Sequence, residues 1–136
     1  MARPLAGTRP AAASAVRATS PATAAEARDA ARVFLAALAP LPSRECAENV
    51  VLVVSELVTN ALRHAGGVTA LRFAADGGTL HVSVRDPSPV PPGERPPDLS
   101  GYGGGFGWPL VRHLAREVTV TPSSDGGKDI RVALPR

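Results

Sequence analysis

Cysteine is nearly missing from this chain of 136 residues. Cys46 stands alone, so no internal disulfide and no cysteine-based zinc site can form, and a reducing compartment, the cytoplasm, is the expected setting. Aromatic side chains are equally thin at 4%, one Trp, one Tyr and three Phe, too few to lay out a stacking platform for single-stranded nucleic acid. Lysine occurs once, at Lys128, against fourteen arginines. Aliphatic runs such as Val50–Val54 fall far below the roughly 20 apolar residues that cross a bilayer, which excludes a transmembrane helix and leaves no membrane role expected. No internal repeat is visible.

What is present suffices for one domain. The apolar share is 44%, supplied mainly by Val, Leu and Ala. The formal net charge of +3 is carried by Arg3, Arg9 and Arg17, which residues 1–19 hold without an acid. Residues 20–136 carry twelve basic and twelve acidic side chains and are neutral, whereas a nucleic-acid-binding face concentrates positive charge on the folded surface. Direct nucleic-acid binding is therefore not expected. Residues 1–19 read as a disordered basic Ala/Pro/Arg tail, with an edge strand within 13–19 as the one ordered element it could hold.

The folded part reads as helix, helix, strand, strand, long loop, helix, strand, strand. Ser20-Pro21 offers an N-cap and first helical residue to a helix whose apolar face is Ala27, Ala31, Phe34, Leu35 and Leu38. A second helix runs from Ser43 to Ala65 and stops at Gly66-Gly67, with Arg63 and His64 suiting its C-terminal dipole. Residues 68–74 and Leu80–Arg85 flank an Asp76-Gly77-Gly78 turn. Residues 86–100 contain six prolines, an irregular stretch long enough to be functional. A glycine-rich segment at 101–107 leads into a short helix near 108–115. Val118 and Val120 then form a second hairpin with Ile130, Val132 and Leu134 across a turn at Ser123–Gly127. Helices packed on one face of a mixed, mainly antiparallel sheet give an α+β two-layer sandwich.

Three places could hold chemistry. On the second helix Glu56, Asn60 and Arg63 fall within about 60° of one another, either as the solvated side of an amphipathic helix or as a carboxylate and an amide able to share a magnesium ion with waters and phosphate. Asp86 closes a strand before Pro87, as a turn starter or as an acceptor reading a ligand's donor. Gly101, Gly103, Gly105 and Gly107 precede a helix N-terminus, as a flexible linker or as backbone N–H groups set for phosphate. No Gly-Lys-Ser/Thr P-loop is present, and the glycines follow a proline loop, not the first strand of a dinucleotide fold. His64, His81 and His113 show no ligand spacing.

In their order these elements resemble the GHKL (HATPase_c) ATP-binding domains. The segment Ser55-Glu56-Leu57-Val58-Thr59-Asn60-Ala61-Leu62-Arg63-His64-Ala65 is similar to that family's N box, Asp86 follows two strands later, and the glycines come behind a lid at about 87–106. Asp86-Pro87-Ser88-Pro89 and Gly105-Phe106-Gly107-Trp108-Pro109-Leu110-Val111 are similar to the actinobacterial anti-sigma factor serine/threonine kinases of the RsbW and SpoIIAB type. The resemblance covers residues 20–136 and implies a Bergerat-type sandwich of three helices on one sheet face. It further implies ATP and Mg2+ as cofactors, with Glu56 as the catalytic general base and Asn60 as the metal ligand. Asp86 would read the adenine, and Gly101, Gly103, Gly105 and Gly107 would cradle the phosphates. The implied activity is phosphorylation of a STAS-domain anti-anti-sigma protein, with or without sequestration of a sigma factor, in transcription regulation and often as a homodimer. A degenerate nucleotide-binding module that acts by partner binding alone is the alternative. Two positions depart from the family pattern: Ser88 replaces a glycine two residues after the aspartate, and Asp129 falls where a last-strand threonine is expected, next to Asp86, where two carboxylates would repel or share a proton.

Overall fold

The computed structural model describes residues 15–92 and 107–136, and its elements begin with an edge strand, β1 (Ala15–Thr19), inside the stretch where one was expected. Two helices follow, α1 (Ala24–Ala36) and α2 (Arg44–His64), then the hairpin β2 (Ala70–Ala75) and β3 (Thr79–Asp86). After the proline and glycine segments come α3 (Gly107–Leu114) and the hairpin β4 (Glu117–Pro122) and β5 (Lys128–Pro135). The strands form one five-stranded sheet in the order β1-β2-β3-β5-β4. All four pairings are antiparallel, so the expected sheet is present without a parallel component among the described residues. The tail at 1–14, most of the lid, and Gly101, Gly103 and Gly105 lie outside the described residues.

The first helix begins three residues later than Ser20-Pro21 suggests. Thr23 is the N-cap: its hydroxyl accepts from the Glu26 N–H at 3.1 Å, while Glu26 Oε1 accepts from the Ala22 N–H at 2.9 Å. This reciprocal capping box satisfies two donors, which one serine ahead of a proline cannot do. Ser20 instead donates to the Thr69 carbonyl at 3.0 Å, tying the end of β1 to the approach to β2. Ser43 caps α2 by accepting from the Cys46 N–H at 3.0 Å. At the other end the N–H groups of Ala65 and Gly67 both reach the Ala61 carbonyl, and the chain reverses through Gly66 at φ +82°, a region that disfavours a Cβ.

Alternation builds the core from the sheet side. Leu71, Phe73 and Ala75 of β2, Leu80, Val82 and Val84 of β3, and Ile130, Val132 and Leu134 of β5 point to one face. Against them lie Ala27, Ala31, Phe34 and Leu35 of α1, Val50, Val53, Val54, Leu57, Val58 and Ala61 of α2, and Val111 of α3. Phe34 stacks on Phe73 with ring centroids 5.2 Å apart, pinning α1 to the sheet. With so few aromatics, Leu and Val carry the burial, at about 1.5–3 kcal/mol for each such side chain. The Asp76 turn is clipped by its own carboxylate, which accepts from the Gly78 and Thr79 N–H groups at 3.1 and 2.8 Å. The hydrogen bond from Gly78 is the main reason its carboxyl is held below the usual aspartate range.

Thr23→Ala removes one half of the α1 capping box. It is expected to lower stability by about 1 kcal/mol, read as a fall in the urea midpoint with an unchanged slope; Ser20→Ala should cost less, because Ser20 does not cap the helix.

Candidate functional site

The helix that the sequence marks out turns its Glu56/Asn60 edge toward α3. Both residues are partly buried and Arg63 is exposed, so this edge is not simply a solvated face. With Leu57, Trp108 and Val111 they line a cleft of about 10 Å³, room for about one water. Glu56 reaches the first residue of α3: a Cβ at Gly107 would fall on Glu56 Oε1 and lie 2.6 Å from its Cδ. Glycine at 107 therefore lets the carboxylate meet the N-terminal turn of α3, where the helix dipole favours an anion. A carboxylate and an amide oxygen four residues apart on α2 are thus gathered at the start of a second helix.

Asp86 is the last residue of β3, fully buried, and it also starts the turn that follows, its carboxylate accepting from the N–H two residues on. It continues the inward row Leu80, Val82, Val84, so the pleat carries its carboxylate into the protein. The register places Asp86 opposite Lys128 and Arg85 opposite Asp129. Lys128 extends the inward row of β5, and its Nζ donates to Asp86 Oδ1 at 2.9 Å and to the Ser88 carbonyl at 3.1 Å. The two side chains are 5% and 0% exposed. Oδ1 also accepts from the Ser88 N–H at 2.9 Å, whereas Oδ2 is buried with no partner among the described residues.

This corrects the expectation for Asp129. Side chains on a strand alternate, so Asp129 points to the outer sheet face, one residue out of phase with Asp86, and the two carboxylates do not meet. It pairs with Arg131 at 3.2 Å and shares a small outer pocket with Arg72, Arg85 and Ser83. The residue brought beside Asp86 is Lys128, which the sequence reading passed over. Its signal was phase: Asp86 is two residues past Val84, and Lys128 is two residues before Ile130. Ser88, the other departure, fills a local role. Its N–H and carbonyl serve the ion pair, and its hydroxyl accepts from the Val90 N–H at 3.2 Å.

Gly127 makes the close approach of the two strand ends practicable. A Cβ there would overlap the Asp86 carbonyl oxygen and come within 2.9 Å of Pro87 Cα. A depression of about 620 Å³ lies elsewhere, between α1 and α2 with Leu35, Leu41, Leu52, Arg28 and Arg32 on its walls; Glu56, Asn60 and Asp86 do not line it.

These residues fit a magnesium nucleotide. The orphaned buried Oδ2 calls for a donor from outside the described residues, as a base amino group would supply. No cluster of three His, Cys, Asp or Glu able to hold a metal occurs among the described residues. A hard cation at Asn60 would then take its remaining oxygens from water and phosphate, the usual habit of magnesium. No helix of the described residues is long and apolar enough to cross a membrane.

A family model described as Histidine kinase-like ATPase domain matches residues 18–134. Among solved structures, the histidine kinase domain from the Erythrobacter litoralis EL346 blue-light activated histidine kinase is similar at 31% identity and a TM-score of 0.48, over 67% of this chain and 45% of that one. A second structure of the Erythrobacter litoralis EL346 blue-light activated histidine kinase matches with the same identity and TM-score, over 67% of this chain and 30% of that one. The chain thus spans less than half the length of either. No curated protein matches it.

Lys128→Met strands a buried carboxylate and is expected to cost about 3–5 kcal/mol. The double variant Asp86→Leu/Lys128→Met, with neither charge to desolvate, should recover most of that loss in the same denaturant titration.

Proposed function

The chain belongs to the histidine kinase-like ATPase domain family, and from that premise we propose that it is an ATP- and magnesium-dependent protein serine/threonine kinase of the anti-sigma factor type. The observation that carries the nucleotide reading is Asp86: a fully buried carboxylate at a strand end, one oxygen of which has no partner among the described residues. Lys128 balances the charge through the other oxygen, and a buried acceptor left without a partner is complementary to a ligand donor.

Bound at Asp86 and Asn60, ATP would supply the transferable phosphoryl group and magnesium would neutralise the charge that develops on it. The chain's own residues bind, orient and move one proton. Asp86 accepts from the base, and Asn60 offers its amide oxygen to the metal. By the family resemblance, backbone N–H groups at Gly101, Gly103, Gly105 and Gly107 would go to phosphate oxygens. Glu56, one helical turn from Asn60, takes the proton of the attacking hydroxyl as its oxygen bonds to phosphorus and the bond to the departing diphosphate breaks. Positioning and electrostatics supply most of such a rate enhancement, which suits a site built from one carboxylate, one amide and backbone.

The resemblance to anti-sigma kinases makes the acceptor a Ser or Thr of a STAS-domain antagonist, with a sigma factor as the sequestered partner, a homodimer as the assembly and the cytoplasm as the setting. One observation favours a second reading, a nucleotide-binding module acting by partner binding alone: Lys128 already holds one oxygen of Asp86.

Incubation with ATP, magnesium and a STAS-domain protein is expected to yield phosphoserine or phosphothreonine. Glu56→Gln should reduce transfer by at least about a hundredfold, the scale of general base catalysis, while nucleotide affinity holds. Asn60→Ala should weaken binding only when magnesium is present. Partner binding without any transfer by the wild type would establish the module reading instead.

A further inference from the structure

The chain's one lysine is buried beside the residue assigned to the base, and the reaction outlined above makes no use of it. An ammonium carries three N–H donors and no acceptor. Two of the three are committed, to Asp86 Oδ1 and to the Ser88 carbonyl. Asp86 is likewise half used: Oδ1 receives both Lys128 and the Ser88 N–H, and Oδ2 receives nothing among the described residues. Among the described residues, the ion pair therefore keeps one acceptor, Asp86 Oδ2, and one ammonium N–H without a partner.

Two arrangements could follow from a lysine here. As a plug, it would spend its donors across both carboxylate oxygens. It is instead bound to one oxygen and braced on the Ser88 carbonyl, which leaves Oδ2 open. Both strand ends are pinned in this arrangement, Asp86 by the β3–β5 register and Lys128 by the inward row that it begins. A cation taken out of water with only two acceptors gains from a third, and hydrogen bonds from charged donors are the stronger kind.

The edge of adenine carries an amino donor next to the ring acceptor N1, the complement of this pair. Resting on the nucleotide reading above, we propose that Lys128 is a second base-reading residue: Asp86 Oδ2 accepts from the 6-amino group while the Lys128 ammonium donates to N1. Base selection then depends on a charge-assisted donor as well as on the aspartate.

The test removes the acceptor atom from the ligand. Calorimetric titration of the wild-type chain with magnesium and ATP, 1-deaza-ATP (N1 replaced by C–H) or 7-deaza-ATP measures affinity without reference to turnover. On the proposal 1-deaza-ATP binds more weakly than ATP by on the order of ten- to a hundredfold, and 7-deaza-ATP, altered away from this edge, binds within about threefold of ATP. In Lys128→Met, with its fold checked by circular dichroism, ATP and 1-deaza-ATP should bind alike. Equal affinity of the wild type for ATP and 1-deaza-ATP overturns the proposal and leaves the nucleotide reading intact. So does tighter ATP binding by Lys128→Met than by the wild type, which would make the lysine a plug. Failure of the wild type to bind any of the three nucleotides overturns the nucleotide reading and the proposal together. The wild-type comparison needs no variant, so it decides the matter even if Lys128→Met does not fold.

Discussion

The buried ion pair between Asp86 and Lys128 is the interaction on which the ordering of this site rests. Two charges removed from water cost several kcal/mol each unless they find partners of good geometry. Here the partners come from two strands not joined by a turn, and the backbone of Ser88 supplies both a donor and an acceptor to the same pair. The arrangement works only while β3 and β5 keep their register, because a slip of one residue in β5 would carry Lys128 to the open face of the sheet and leave the Asp86 carboxylate without its cation. It also needs the strand ends close together, which the absence of a side chain at Gly127 permits. Packing, register and charge are in this sense one constraint: the rows that bury Val84 and Ile130 also aim Asp86 and Lys128.

The helix layer follows the same logic. Most of α2 is committed to the core through Val50, Val53, Val54, Leu57, Val58 and Ala61, which leaves a narrow edge for polar chemistry. That edge meets α3 at its beginning, and a second glycine, Gly107, makes the room. Polar groups are gathered at the ends of elements whose middles are apolar: the last residue of β3, the first of β5 and the first turn of α3. Rigid rows thereby hold the polar side chains at their ends in fixed positions.

Much of this was legible in the residues. The five apolar residues assigned to the first helix face are all buried, the glycine pair ends the second helix, and the alternation through Leu80, Val82 and Val84 gives the inward face of β3. Helical spacing alone brings Glu56 and Asn60 onto one edge. Local competition between caps was harder to read: Ser20-Pro21 and Thr23-x-x-Glu26 both signal a helix start, and only the second satisfies two donors at once. The neighbour of Asp86 was misread for a different reason. The family pattern pointed to Asp129, but on a strand one residue decides the face, and the cross-strand partner comes from pairing between segments about forty residues apart.

The chain by itself therefore determined what depends on neighbours in sequence: the helical and alternating periods, the turns at Asp76-Gly77-Gly78 and Gly66-Gly67, the division of side chains into inward and outward sets, and the order of motifs that signals its family. The tertiary structure decided which inward residues of separate strands meet, and so turned a lone aspartate and an overlooked lysine into a single buried pair. The physical reason is that period and capping are set within a few residues of backbone, whereas partner choice in a sheet is a non-local register, settled only when the whole core closes over it.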